Sequence, residues 1–224
     1  MNPVIESLLK HKSVRKYKNQ PLEDEKLQLI IKAAQAAPTW CNGEQVSIIA
    51  VKDQAIKDKI RDLAWGQKYI STCSVFLVFC ADFYRISIAF EKGGKTKEDF
   101  EKYITHIDTL VVGSHDVGIA LQNATVAAES LGLGTVDIGA IRGKSLEITK
   151  LLNLPKYCIP LVGLCVGYPD DDPGVKPRLP MTAVCFDNKY DTEKAKAGVE
   201  EYDVTYDLLK QQGFISIDKK NNLI

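Results

Sequence analysis

The chain has no net charge: among its 224 residues, 29 Lys and Arg balance 29 Asp and Glu. A bulk basic field is therefore absent, which argues against nucleic acid or an anionic membrane as partner. Any anion site has to be local. Histidine is scarce, with three in the chain, and none stands near a cysteine at metal-ligand spacing. The six cysteines (Cys41, Cys73, Cys80, Cys158, Cys165 and Cys185) contain no pair separated by two residues, so zinc and thioredoxin-like readings are weak. Several, such as Cys80 and Cys165, lie in apolar runs and read as small buried hydrophobes. Long apolar runs are lacking too: CIPLVGLCVGY falls well short of a bilayer span. The opening MNPVIESLLKHKS has no continuous apolar stretch of the secretory type, so a cytoplasmic address with reduced thiols is expected. There is no G-x-G-x-x-G, Walker A loop, G-x-S-x-G or H-E-x-x-H. His106 and His115 read as surface or helix-packing residues, and the acidic run Asp170, Asp171, Asp172 as a solvated turn after Pro169.

What is present is an ordinary globular composition, 45% hydrophobic and 26% charged, in a length that suits one large domain or two small ones. Apolar periodicity predicts a helix over 22–37, ended by Pro38, and a strand over 45–52. A helix over 54–64 and a buried central strand over 74–82 follow. Residues 98–131 keep a helical rhythm that predicts one long helix, closed by LGLG. TVDIGAI reads as a strand, 144–152 as a short helix, IPLVGLCVGYP as another buried strand, and about 190–224 as a helical tail. This irregular alternation predicts an α+β fold, with a sheet packed against long helices.

Two basic clusters stand out. His11, Lys12, Ser13 and Arg15 form the first; Lys176 and Arg178, in KPRLP, form the second. The prolines stiffen the frame around Lys176 and Arg178. Arginine suits bidentate contact with a phosphate, and Ser13 adds a hydroxyl donor. Charge-assisted contacts contribute about 1.5–3 kcal/mol each, so several converging on one phosphate would hold a cofactor without a glycine-rich loop. Two unrelated solvated patches are the plainer alternative from composition alone.

The motifs decide between them. HKSVRKY at 11–17, GQ at 66–67 followed by VFLVFCADFYR, LQNATVAAESLGLGTVDIGAIR at 121–142, and IPLVGLCVGYPDDDPGVKPRLP at 159–180 occur in order. Together they resemble the nitroreductase family, most closely its NADPH-nitroreductase and flavin reductase branch, over about residues 1–185. The resemblance implies a single FMN-binding domain over 1–224. It implies an α/β sandwich with a mixed sheet flanked by long helices, assembled as an intertwined homodimer. It further implies an FMN-dependent NAD(P)H oxidoreductase that passes hydride, by a ping-pong cycle, to a nitroaromatic, a quinone or free flavin. By position, His11, Lys12, Ser13 and Arg15 are expected at the FMN phosphate and flavin edge, with Lys176 and Arg178 completing the phosphate and ring O2 contacts. Gln67 is expected at the ribityl or pyrimidine side, Ile138, Gly139 and Ala140 to offer backbone N–H near N5 and O4, and Thr39 to be lent across the dimer. A flavin carries the hydride itself, so the missing catalytic triad is no objection.

The departures are specific. Position 12 is Lys where Arg is usual, and 38–43 is PTWCNG rather than a serine run, which puts Trp40 at the substrate slot or in interface packing. Asp137 stands beside the N5 segment, and Ala140 replaces a glycine of a pair. The tail contains no Arg, though Lys210, Lys219 and Lys220 remain, which leaves NADH against NADPH open. A same-fold flavoenzyme dedicated to one metabolite, and a non-catalytic flavin-binding sensor, are the alternatives.

Overall fold

The computed structural model describes residues 2–211. It divides into two compact units, Met1–Pro173 and Gly174–Ile224. In the first, α1 (Pro3–Leu9) starts at Asn2, whose side chain accepts from the Val4 and Ile5 N–H groups, with Pro at the first helical position. After α2 (Asp24–Gln35) come β1 (Val46–Val51), α3 (Gln54–Leu63), α4 (Tyr69–Thr72) and β2 (Val75–Asp82). Three helices follow, α5 (Tyr84–Lys92), α6 (Lys97–Ile104) and α7 (Ile107–Ser130), then β3 (Gly134–Ile138), α8 (Ser145–Leu151) and β4 (Cys158–Gly167). The second unit holds an extended stretch, a short turn at Met181–Ala183 and α9 (Thr192–Gln211), which packs on that turn.

The four strands form one sheet in the order β1-β2-β4-β3. β2 sits at its centre and is buried along its whole length, as its continuous apolar run requires. Its alternate residues serve both faces. Val75, Leu77, Phe79 and Ala81 meet α2 and α7 through Leu27, Ile30, Val117, Ala120 and Ala124. Phe76, Val78 and Cys80 meet the opposite layer through Ile60, Ile141 and Ile148. The result is a sheet sandwiched between helical layers.

Three expectations change. The long helix over 98–131 is two helices, broken at Thr105 and His106. His106 takes extended backbone (φ −72, ψ 133) and its ring accepts from the Asp108 N–H, so it caps α7. The apolar rhythm runs through the break because α6 and α7 pack on the same layer, with Phe100 and Val117 in one cluster. The strand expected through Ile141 ends at Ile138, where the backbone turns into a short 3-10 segment, Gly139–Lys144. Every pairing between the strands is antiparallel rather than mixed. Parallel pairing among the described residues is confined to an isolated bridge, Ser13 with Thr135, because a short N-terminal segment and not a further strand lies along β3. The part of the expected tail beyond Gln211 lies outside the described residues.

Phe79 is fully buried between the sheet and α7. Phe79→Ala is expected to lower the unfolding free energy by about 3–5 kcal/mol, measured as a shift of the urea midpoint at constant slope; a change under about 1 kcal/mol would contradict this placement.

Candidate active site

The basic N-terminal segment is built into the sheet's free edge. Val14 N–H donates to the Thr135 carbonyl at 2.8 Å, beside the Ser13–Thr135 bridge. Close approach depends on Gly134: a Cβ there would stand 2.8 Å from Val14 side-chain atoms, nearer than such contacts come. Val14 points inward and is buried, so its neighbours face out, with Ser13 half-buried and Arg15 exposed. Tyr17 anchors the far end. Its buried O–H donates to the Val14 carbonyl at 2.8 Å, and burial pushes the phenol far above its ordinary range. Lys18 N–H then donates to the Tyr168 carbonyl, and Asp170 N–H to the Lys16 carbonyl.

His11 is held from α7. Its Nδ1 lies 2.7 Å from Glu129 Oε1, and Thr135 Oγ1–H donates to the same oxygen at 2.7 Å. Asp137 follows on β3. Loss of hydration raises its carboxyl above the ordinary value; His11 opposes the rise and Glu129 adds to it. Beyond it, Ile138 and Ala140 are buried and Gly139 is half-buried. The Arg142 guanidinium lies against Gly139, where a Cβ would stand 2.8 Å from Nη2, and Nη1 donates to the Leu161 carbonyl at 2.9 Å.

Gln67 follows a strained turn: Trp65 and Gly66 both take positive φ, at 60° and 72°. For a bulky residue such as Trp65 this is a genuine outlier, of the kind that collects at functional sites. Gln67 Oε1 is buried and meets no hydrogen-bond donor, an unusual state for a buried acceptor. Two residues on, Tyr69 lies under Arg15, whose guanidinium carbon is 6.0 Å from the ring centre. The structure thus brings together His11, Lys12, Ser13, Arg15, the Gln67 turn and Asp137–Ala140. Between the N-terminal segment, the end of α7 and the loop after β4 lies a cavity of about 440 Å³, lined among others by Lys10, Lys12, Glu129, Gly134, Asp171 and Asp172. Asp172 pairs with Lys12 at 2.7 Å, and Asp171 with Lys16 at 3.4 Å. The acidic run is therefore a counterion to the basic segment and not only a solvated turn.

Thr39 stands apart from this cluster. It lines a second cavity of about 350 Å³ with Ala37, Glu44, Ser47 and Arg85. Its Oγ1 accepts from the Glu44 N–H at 3.1 Å and closes a tight loop in which Cys41, Asn42 and Glu44 all have positive φ. The clamp for this loop is Asp116 on α7, a fully buried carboxylate that accepts from Trp40 N–H at 3.1 Å and from Gln45 Nε2 at 2.7 Å. Trp40 itself remains 54% exposed. Lys176 and Arg178 belong to the second unit, exposed on its extended stretch.

The match to known proteins follows this geometry. A model described as the nitroreductase family matches residues 8–168, and one described as that family's C-terminal domain matches 176–213. The chain belongs to the nitroreductase family. It is 48% identical to the Bacillus subtilis "FMN reductase [NAD(P)H]" over 205 residues, 91% of this chain and 81% of that protein. The Salmonella typhimurium "oxygen-insensitive NADPH nitroreductase" is 38% identical over 213 residues, covering 94% and 85%. Among solved structures, NfrA2 of B. megaterium superposes with a TM-score of 0.90 at 41% identity, over 96% of this chain and 87% of that one. The Vibrio harveyi NADPH:FMN oxidoreductase complexed with NAD+ gives 0.79 at 32%, over 96% and 93%.

Glu129, Thr135 and Asp116 were not legible as site residues. The one signal was acidity without any Lys or Arg in α7, IDTLVVGSHDVGIALQNATVAAES, where a carboxylate in an apolar helix needs a partner.

Two predictions follow from these carboxylates. Asp116→Ala leaves Trp40 N–H and Gln45 without their acceptor, so stability is expected to fall by about 1.5–3 kcal/mol, with an altered Trp fluorescence spectrum; unchanged urea unfolding and unchanged emission would contradict the clamp. Asp137 has a raised folded-state pKa, so its penalty operates above that pKa and vanishes below the unfolded value of about 3.9. Asp137→Asn is therefore expected to stabilise the protein at neutral pH, with the gain fading as the pH falls through the ordinary carboxylate range. A gain that persists unchanged in acid would contradict it.

Proposed function

We propose that this chain is an FMN-dependent NAD(P)H oxidoreductase that reduces flavins or nitro compounds, acting as a cytoplasmic homodimer. The observation that carries the reading is the orphaned, buried Gln67 Oε1 on the same end of the sheet as the basic segment. A buried acceptor of this kind suits a ring N–H or a ribityl hydroxyl, and the neighbouring Lys12, Ser13 and Arg15 suit a phosphate. The residues fit FMN on both counts.

When bound, FMN supplies the hydride chemistry. The chain's part is to bind and orient it. His11, Lys12, Ser13 and Arg15 grip the phosphate and the flavin edge. Gln67 satisfies the ribityl or pyrimidine side, and Asp137, Ile138, Gly139 and Ala140 line the N5 and O4 edge with backbone N–H groups. Lys176 and Arg178, exposed cations on the second unit's extended stretch, suit an anionic group such as the phosphate of a bound FMN. Thr39 and Trp40, on their clamped loop, serve a partner subunit's acceptor slot. NAD(P)H and the acceptor, a nitroaromatic, a quinone or free flavin, use one slot in turn.

Dimer formation is supported by apolar surface on adjoining helices. Ile107 and Val111 on α7 are 71% and 58% exposed, and α1, which packs on α7, exposes Val4, Ile5, Leu8 and Leu9. The four exposed apolar side chains on the short α1 are the kind of grouping that marks an interface. The free thiols of all six cysteines suit a reducing compartment.

Anaerobic titration of the FMN-loaded protein with NADH and, separately, with NADPH is expected to bleach the flavin's visible band with at least one of them; failure with both would contradict the reductase reading. Arg15→Ala is expected to weaken FMN affinity about tenfold to a hundredfold, the loss of one charge-assisted contact, and unchanged affinity by flavin fluorescence would remove Arg15 from the grip.

A further inference from the structure

We infer that Glu129 is a positioning residue for His11 in the cofactor grip, with Thr135 fixing the carboxylate; this rests on the FMN reading above. The two hydrogen bonds share one oxygen: His11 Nδ1 and Thr135 Oγ1 both lie 2.7 Å from Glu129 Oε1. An ionised carboxylate only accepts, so Nδ1 carries a proton, and the bond made by one ring nitrogen fixes the role of the other. Nε2 is then the nitrogen presented to a ligand. From the imidazolium it donates to a phosphate.

The pair is sheltered. The Glu129 side chain is 16% exposed and that of His11 31%, and Thr135 is fully buried. By contrast, the Lys12–Asp172 pair has side chains 35% and 71% exposed. The network ties the segment after α1 to two neighbouring stretches far along the chain, the last turn of α7 and β3. It therefore fixes the ring against the strand that leads into Asp137–Ala140.

Electrostatics alone gives the opposite expectation, which makes the inference testable. Glu129 lines the same cavity as Lys10 and Lys12. A carboxylate in the wall of an anion site repels a phosphate, so its removal should tighten FMN binding on charge grounds. Positioning requires the reverse: Glu129→Ala frees the ring and weakens FMN. Glu129→Gln keeps an oxygen that both donors can reach and removes the charge.

The test uses the full-length protein stripped of flavin, titrated with FMN and with riboflavin by flavin fluorescence quenching, beside nitrogen-15 spectra of the histidine rings. Glu129→Ala is expected to lose about ten- to hundredfold in FMN affinity, with Glu129→Gln recovering most of it. The loss should be larger for FMN than for riboflavin, which lacks the phosphate. The His11 ring should carry its proton on Nδ1 in the wild type and lose that preference in Glu129→Ala. FMN binding by Glu129→Ala as tight as, or tighter than, the wild type overturns the inference, as does a His11 ring that is indifferent to the substitution. Loss of affinity equal for FMN and riboflavin also overturns it, since that is what general loosening of the fold produces. Failure of the wild type to take up FMN would instead sink the cofactor reading, and it is recognisable because wild type and variants then fail alike while the ring spectra still report the pair.

Discussion

The site depends on one close approach, the N-terminal segment lying against β3 over the bare Cα of Gly134. Val14 N–H to the Thr135 carbonyl sets the register, and the buried Val14 and Tyr17 side chains lock it. Because side chains alternate along an extended chain, that register decides which residues face inward and which face outward, among them those proposed to hold FMN. A slip of one position would bury Ser13 or Arg15 and expose Val14. The positive charge of the segment is thus aimed by packing, through a contact that carries no charge itself.

Electrostatics then works on a local scale, as a chain without net charge requires. The lysines of the segment have acidic partners after β4, the exposed Asp172 and the partly buried Asp171. An exposed pair such as Lys12–Asp172 contributes about 0–1 kcal/mol, so it offsets part of the segment's charge and yields readily to a stronger anion. His11 is different, since its carboxylate partner is shielded and itself held by Thr135. Asp116 plays a comparable part for the Trp40 loop, where a fully buried carboxylate holds together a backbone with several residues in left-handed conformations. Both anchoring acids come from α7, which therefore serves the core with one face and two loops with others.

Local pattern carried much of the fold. The strands over 45–52 and 74–82 and the helices over 22–37 and 54–64 fall within one or two residues of β1, β2, α2 and α3, because each buries a face of its own period. Pattern failed where a break leaves the periodicity intact. The cap at His106 does not interrupt the apolar rhythm, yet Ile107 and Val111, which sustain that rhythm, are exposed and not core. The short helices α1, α4 and α5 went unseen, although Asn2 followed by Pro3 is a start signal. In the site, basic residue types at close spacing and the family motifs made the segment 11–15 visible. Glu129 did not show, because its partner lies 118 residues away and no local spacing encodes such a pair.

The most direct test of the central constraint is Gly134→Val. A β-branched residue suits a strand, so the sheet should survive, but its Cβ displaces Val14 and with it the register of the basic segment. The measurement is the FMN dissociation constant of the flavin-stripped variant, with cooperative thermal unfolding as the control. A variant that unfolds cooperatively and binds FMN more than about tenfold more weakly is the expected result. One that unfolds cooperatively and binds FMN as the wild type does would show that the segment's register on β3 is not what forms the site.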